Sequence, residues 1–230
     1  MIAKSKKSAS KLQEIDKQNH IIKINQAKIL QKLSLDNFEF NKIPTIAIIG
    51  NCQMLSTAFY LQQNTDKYLI KWCLYSESFI RHLGRWTDKC NDIMILDVND
   101  CIEFIKEADI IICQKLSLNA SKYFNYNLIL TYIKQNCKII TIPSIYCDMN
   151  DFDNSIKELQ KRELENNNDI LVSKIIIKNK NNYPMITINH PTTIIFITIV
   201  NIIFTLINHP KICPYLRNYY LEKSNFIELP

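Results

Sequence analysis

43-IPTIAIIGNCQML-55 is the stretch on which the reading of this chain turns. An apolar, β-branched run ends at Gly50, one of only two glycines among 230 residues, and Asn51, Cys52 and Gln53 come directly after it. A strand that is apolar at every position is buried on both faces, as in a parallel sheet covered by helices. Glycine at its end permits a sharp strand-to-helix turn that a Cβ would obstruct. Such a turn lifts the next side chains to the edge of the sheet, and here they include a thiol. The competing reading is that AT-rich coding scattered Ile, Asn, Lys and Cys here by chance. The rest of the chain chooses between the two.

Outward from this stretch, apolar runs alternate with helical patterns. TIAIIG (45–50) is a buried strand, with a helix after it to about Leu61. YLIKWCLY (68–75) is a second strand, and the helix after it holds Phe79, Ile80 and Leu83. IMILDV (93–98) is a short strand or core segment, with Asn99 as N-cap of a helix holding Ile102 and Ile105. DIIIC (109–113) is a strand, 121–135 a helix, CKIITI (137–142) a strand, and 153–166 and 169–178 are helical. MITIN (185–189) is a last strand before an apolar helix that opens after Pro191. This alternation predicts an α/β fold, a three-layer sandwich around a mostly parallel sheet. The run 192–207 is uncharged but shorter than the ~20 residues of a membrane span and holds Asn201, which favours a helix buried in the core.

The α/β domain is expected over 43–230, preceded by a basic helical extension over 1–42. In the extension Ile15, Ile22 and Ile29 recur every seventh residue, interrupted by Asn19 and Gln26. Two readings stand: an amphipathic extension, or a device for docking on the body or on a second copy to form a homo-oligomer.

The hydrophobic fraction of 47% is that of a globular chain. The net charge of +6 gathers in the first residues (Lys4, Lys6, Lys7, Lys11, Lys17), no arginine precedes Arg81, and no basic stripe is interleaved with aromatics. A solvated tail explains this better than a nucleic-acid surface. The eight cysteines include no CxxC pair and come after no secretory signal. That predicts neither a metal site nor a disulfide framework, and a reducing, cytoplasmic setting. Cys113 and Cys137 read as small core residues. Glu14, Asp16 and the lack of arginine argue against a mitochondrial leader.

In open parallel sheets the ligand crevice lies beyond the C-terminal ends of the strands. The residues at those ends here are Gly50-Asn51-Cys52-Gln53, then Gln114, then Pro143-Ser144-Ile145-Tyr146, then Asn189-His190-Pro191. Cys52 sits where a helix begins, and the unpaired N–H groups there are expected to lower its pKa and activate it. The bland alternative is a structural core cysteine. His190 is the one histidine of four that comes directly after a strand, which pairs it with Cys52 as an activated thiol and its base; its alternative is a satisfied core histidine. No acidic residue precedes it at short range, although Thr187 and Asn189 are close. Gln114 is either an oxyanion donor or a loop amide. Arg81 and Arg85, one turn apart, either grip phosphates or are solvated.

GNCQ after the first strand, DIIICQ, KIITIPSIY and late ITINHPT before an apolar helix occur in that order. Over about 44–209 this pattern resembles the WcbI-type polysaccharide biosynthesis family, acetyltransferases of bacterial capsule pathways that bind coenzyme A, and through it the SGNH hydrolases. The resemblance implies Cys52 at the nucleophile position, His190 at the base position and Gln114 near an oxyanion-hole position. It also implies acetyl-CoA at the strand edge, with Asn51, Gln53, Arg81, Arg85, Ser144 and Tyr146 as its binding residues, and a saccharide hydroxyl as acceptor. The chain departs from the family in a shorter, less aromatic segment between Tyr146 and Asp153. It departs from the hydrolases in lacking their Asp before the histidine, where Thr187 and Ile188 stand. Alternatives from other classes are a thiol esterase on the same scaffold and a non-catalytic binder of coenzyme A or a glycan.

Overall fold

The computed structural model describes residues 43–73, 91–116 and 121–212. The N-terminal extension, the helix with Phe79, Ile80 and Leu83, and Arg81 and Arg85 lie outside the described residues. Five parallel strands form one sheet: β1 (Thr45–Ile49), β2 (Leu69–Cys73), β3 (Met94–Ile95), β4 (Ile110–Gln114) and β5 (Lys138–Ile142), in the order β3-β2-β1-β4-β5. All five residues of β1 and of β4 are buried. These are the central strands, which need apolar side chains on both faces.

The helices cover the two faces. On one lies α1 (Cys52–Gln62), packed on β2 and on the long apolar helix α6 (Thr193–Leu206). α5 (Val172–Lys178) packs on α6, and α4 (Phe152–Glu165) on α5. On the other lie α2 (Val98–Glu107) and α3 (Tyr126–Tyr132), which pack on each other. Crossovers between parallel strands are right-handed, so reversing the direction of travel across the sheet moves the helices to the opposite face. The chain travels from β1 out to β3, then returns over the sheet to β4. That makes the gap between β1 and β4 the topological switch point.

α6 is a core helix, as the sequence led one to expect. Its 14 residues span only about 21 Å. It buries Ile195, Phe196, Ile197, Ile199, Val200, Ile203 and Phe204. Phe196 stacks on Tyr60 of α1 with centroids 5.9 Å apart, and the Tyr60 hydroxyl meets Thr193 Oγ1 at 3.0 Å. Among the described residues no helix is long and apolar enough to cross a membrane.

Several boundaries differ from expectation, each for a local reason. α2 is capped by Asp97, whose carboxylate accepts from the N–H groups of Asn99 and Asp100; Asn99 is already inside the helix. The strand expected over 93–98 shrinks accordingly to β3. The helix expected over 121–135 forms only over Tyr126–Tyr132, because Asn125 caps it by accepting from Leu128 N. The largest difference is MITIN. β6 (Met185–Thr187) does not join the parallel sheet; it pairs antiparallel with β7 (His190–Pro191) as a separate two-stranded ribbon. Thr141 on β5 gives its N–H to Asp169 Oδ2 and its carbonyl to Ile170 N, so the segment before α5 already covers that strand. Pro191 therefore ends the ribbon, and Thr192 stands between it and the first turn of α6.

Candidate functional site

At the switch point β1 runs into α1 through Gly50 (φ +154°), in a backbone region that residues with a Cβ rarely adopt. An added Cβ would stand 2.4 Å from Met54 Cγ and 2.7 Å from Gln114 Oε1. The Trp72 indole N–H donates to the Gly50 carbonyl at 3.1 Å and holds the turn from the β2 side. Asn51 then caps α1: its Oδ1 accepts from Gln53 N at 3.0 Å and its Nδ2 donates to Ser144 Oγ at 3.2 Å. Glycine stands at this turn because Gln114 approaches it so closely.

Gln114 and Gln53 have different tasks from those expected of them. Gln114 is only 2% exposed; its Oε1 accepts from Asn51 N at 3.0 Å and its Nε2 donates to Gln53 Oε1 at 3.2 Å. The oxygen and one of the two Nε2 protons are engaged inside the protein, so the amide fixes the turn. Gln53 is 4% exposed, and its side-chain amide makes four bonds. Its Nε2 donates to Ile145 O (2.7 Å) and Asn189 O (2.8 Å), and its Oε1 accepts from Gln114 Nε2 and from Ile145 N (2.9 Å). A primary amide offers two N–H donors and two lone pairs, so Gln53 has nothing left for a cofactor. It staples the α1 turn to the loop after β5 and to the ribbon.

That staple joins the segments that carry Cys52 and His190. Cys52 precedes Gln53, His190 comes after Asn189, and Gln53 bonds Asn189 directly. Cys147 N donates to Ile188 O at 2.7 Å and closes the same junction. Cys52 and His190 are both half-buried. Among the described residues no hydrogen bond joins the thiol to the imidazole; His190 Nδ1 meets Thr187 Oγ1 at 2.6 Å instead.

Cys52 departs from expectation in its electrostatics. Burial raises its pKa, and the backbone N–H groups of Gln53 and Cys52, which favour the thiolate, do not overcome that. Burial thus favours the thiol form of Cys52 over the thiolate. Cys113 is pushed up further, to about 12, by deeper burial, and fits the role of a core residue. Cys137 is only half-buried. Cys73 lies hydrogen bonded to Cys101 in the core.

Of the remaining candidates, Ser144 and Tyr146 are exposed at the mouth of the site. Arg162, which sequence reasoning passed over, reaches them from α4: its guanidinium donates to Ser144 O and Tyr146 O, each at 3.4 Å. Only a helix-face argument linking 153–166 to the loop after β5 would have found it. Ser144, Tyr146 and Arg162 fit an anionic, phosphate-bearing ligand, combining a hydroxyl, an aromatic surface and a cation. His209 is structural: it lies on the Phe204 ring at 4.3 Å and its Nε2 meets Thr65 Oγ1 at 2.8 Å. Among the described residues no cluster of three or more His, Cys, Asp or Glu side chains is arranged to hold a metal ion. Compared with known proteins, the chain matches no family model, no curated protein and no solved structure.

Proposed function

We propose that the chain is an acyltransferase that works through a thiol, Cys52, and a histidine base, His190. One observation carries the reading: the four-bond Gln53 amide ties the turn holding Cys52 to the ribbon holding His190, at the switch point where open α/β sheets bind ligands. The choice of acetyl-CoA as donor and a saccharide hydroxyl as acceptor, in a capsule or polysaccharide pathway, rests on the resemblance of the GNCQ, DIIICQ, KIITIPSIY and ITINHPT motifs. When bound, the donor supplies an activated thioester carbonyl.

The chain's own residues do the rest. His190 takes the proton from Cys52 Sγ, Cys52 takes the acyl group, and the proton leaves with the departing thiol. The acceptor hydroxyl then takes the acyl group from Cys52 and its proton returns to Cys52 through His190, while Ser144, Tyr146 and Arg162 hold the anionic ligand at the mouth. Burial favours the thiol form of Cys52, so in this reading His190 removes its proton before the sulfur attacks. A thiol esterase on the same residues is the second reading. It is favoured by the exposure of Ser144 and Tyr146, which leaves water access to the mouth.

The first experiment is a thermal melt with and without coenzyme A. At about 100-fold excess over Kd, binding linkage contributes roughly 2.7 kcal/mol, a rise of about 5–10 °C for a chain of this size. A shift of that order supports the transferase. No shift sinks it and leaves the esterase, to be tested with activated esters. In either reaction Cys52→Ala or His190→Ala should abolish turnover with the melt unchanged; near-normal turnover by either variant would remove the Cys–His assignment.

A further inference from the structure

The ribbon carries a second polar chain beside the Gln53 staple. Thr187 Oγ1 lies 2.6 Å from His190 Nδ1 and donates to Asn189 Oδ1 at 3.1 Å. A hydroxyl has one proton to give. With that proton directed to the Asn189 carbonyl oxygen, the short contact to Nδ1 is a hydrogen bond only if the ring supplies the proton. The order is then His190 Nδ1–H to Thr187 Oγ, and Thr187 O–H to Asn189 Oδ1. The neutral ring so held has its lone pair on Nε2, which makes no hydrogen bond among the described residues.

We propose that Thr187 is the positioning residue of this site: with Asn189 it locks neutral His190 in the Nδ1–H form and presents Nε2 as the proton acceptor for a sulfur acid. The link to proton transfer rests on the acyltransferase reading; the locked tautomer does not. A carboxylate in this place both orients an imidazole and stabilises the cation formed when it takes a proton. A hydroxyl orients the ring and adds no counter-charge. A thiol is more acidic than a sugar hydroxyl, so of the two protons the transfer has to move, that of Cys52 is the first to pass to His190. The neutral relay at Thr187 and the thiol at Cys52 belong to one design, in which the proton moves from Cys52 Sγ to His190 Nε2.

The tautomer can be read without turnover. Long-range proton–nitrogen NMR spectra of the full chain, labelled with ¹⁵N-histidine and recorded where histidine is neutral, resolve the two ring nitrogens of each of the four histidines. His190→Gln identifies the His190 signals. The expected result is a pyrrole-like Nδ1 and a pyridine-like Nε2 in the native chain. Thr187→Ser should keep that pattern, and Thr187→Val should revert to the Nε2–H form that neutral imidazole favours in water. An Nε2–H ring in the native chain would overturn the proposal, and so would an Nδ1–H ring that survives Thr187→Val. If the valine variant does not fold, Thr187→Ala takes its place with the same two outcomes. In a transfer assay Thr187→Val should lower kcat with KM unchanged, and Thr187→Ser should restore it. A native chain that shows the Nδ1–H ring but no acyl transfer would overturn the functional reading alone.

Discussion

Two residues at the switch point are constrained by what surrounds them rather than by their own chemistry. Gly50 combines a positive φ with a space that Met54 and Gln114 already fill. Gly50→Ala should therefore destabilise the chain by about 1–3 kcal/mol from backbone strain alone, and more if Gln114 is displaced from Asn51. A fall in urea midpoint of that size, with fewer protected amides around Asn51 in hydrogen exchange, is the expected result. Gln53 permits a sharper test because an isosteric change isolates its donors. Gln53→Glu keeps the shape but cannot donate to Ile145 O and Asn189 O, and it brings a negative charge into a site only 4% exposed. Leaving buried groups unsatisfied costs about 1–3 kcal/mol each, so a loss of about 3 kcal/mol or more is expected in denaturant melts. A stability equal to the native chain would show that the staple contributes nothing. At Gly50 both the type of residue and its task are legible in the sequence; at Gln53 only the type is. Position after a strand makes Gln53 and Gln114 look ligand-facing, whereas their partners lie 61 to 136 positions away.

Elements are legible where burial dictates composition and less so where capping decides. β1, β4 and α6 stand within a residue or two of where the apolar runs place them. α2 begins earlier than expected because Asp97 outcompetes Asn99 as its cap, and a carboxylate accepting two N–H groups at a helix start also complements the helix dipole. Asp97→Ala should cost about 1 kcal/mol, whereas Asn99→Ala should change little; thermal melts of the two variants separate the readings. The ribbon escapes a sequence reading for a related reason. β6 has strand composition, but a strand needs a free edge, and Asp169 and Ile170 already occupy the hydrogen bonds of Thr141.

At the scale of the whole molecule, the sheet carries the candidate site at its C-terminal edge and a structural junction at its N-terminal edge. At the N-terminal end of the strands Asp109 accepts from Thr45 N (2.8 Å) and Thr45 Oγ1 (3.2 Å) and pairs with Lys134 at 2.5 Å, joining the starts of β1 and β4 to the segment after α3. Burial by itself would raise its carboxyl, but Lys134 and the Thr45 donors together hold it below the ordinary value. A depressed carboxylate adds stability that is present above its unfolded pKa and is lost as pH falls through the folded one. Asp109→Asn should therefore be less stable than the native chain at neutral pH. The two urea midpoints should converge as pH falls below the ordinary carboxylate range, and a constant gap would exclude this origin. The sequence by itself determined the α/β layering, because a strand buried on both faces must be apolar at every consecutive position, a constraint written locally. It also determined which polar residues reach the C-terminal edge, since they stand directly after such runs. Only the tertiary structure decided which of them stay open at the surface and which are bonded inward, because a hydrogen bond depends on distance and direction between segments far apart in the chain. By that criterion Gln53 and Gln114 became scaffolding and Thr187 came to stand against His190.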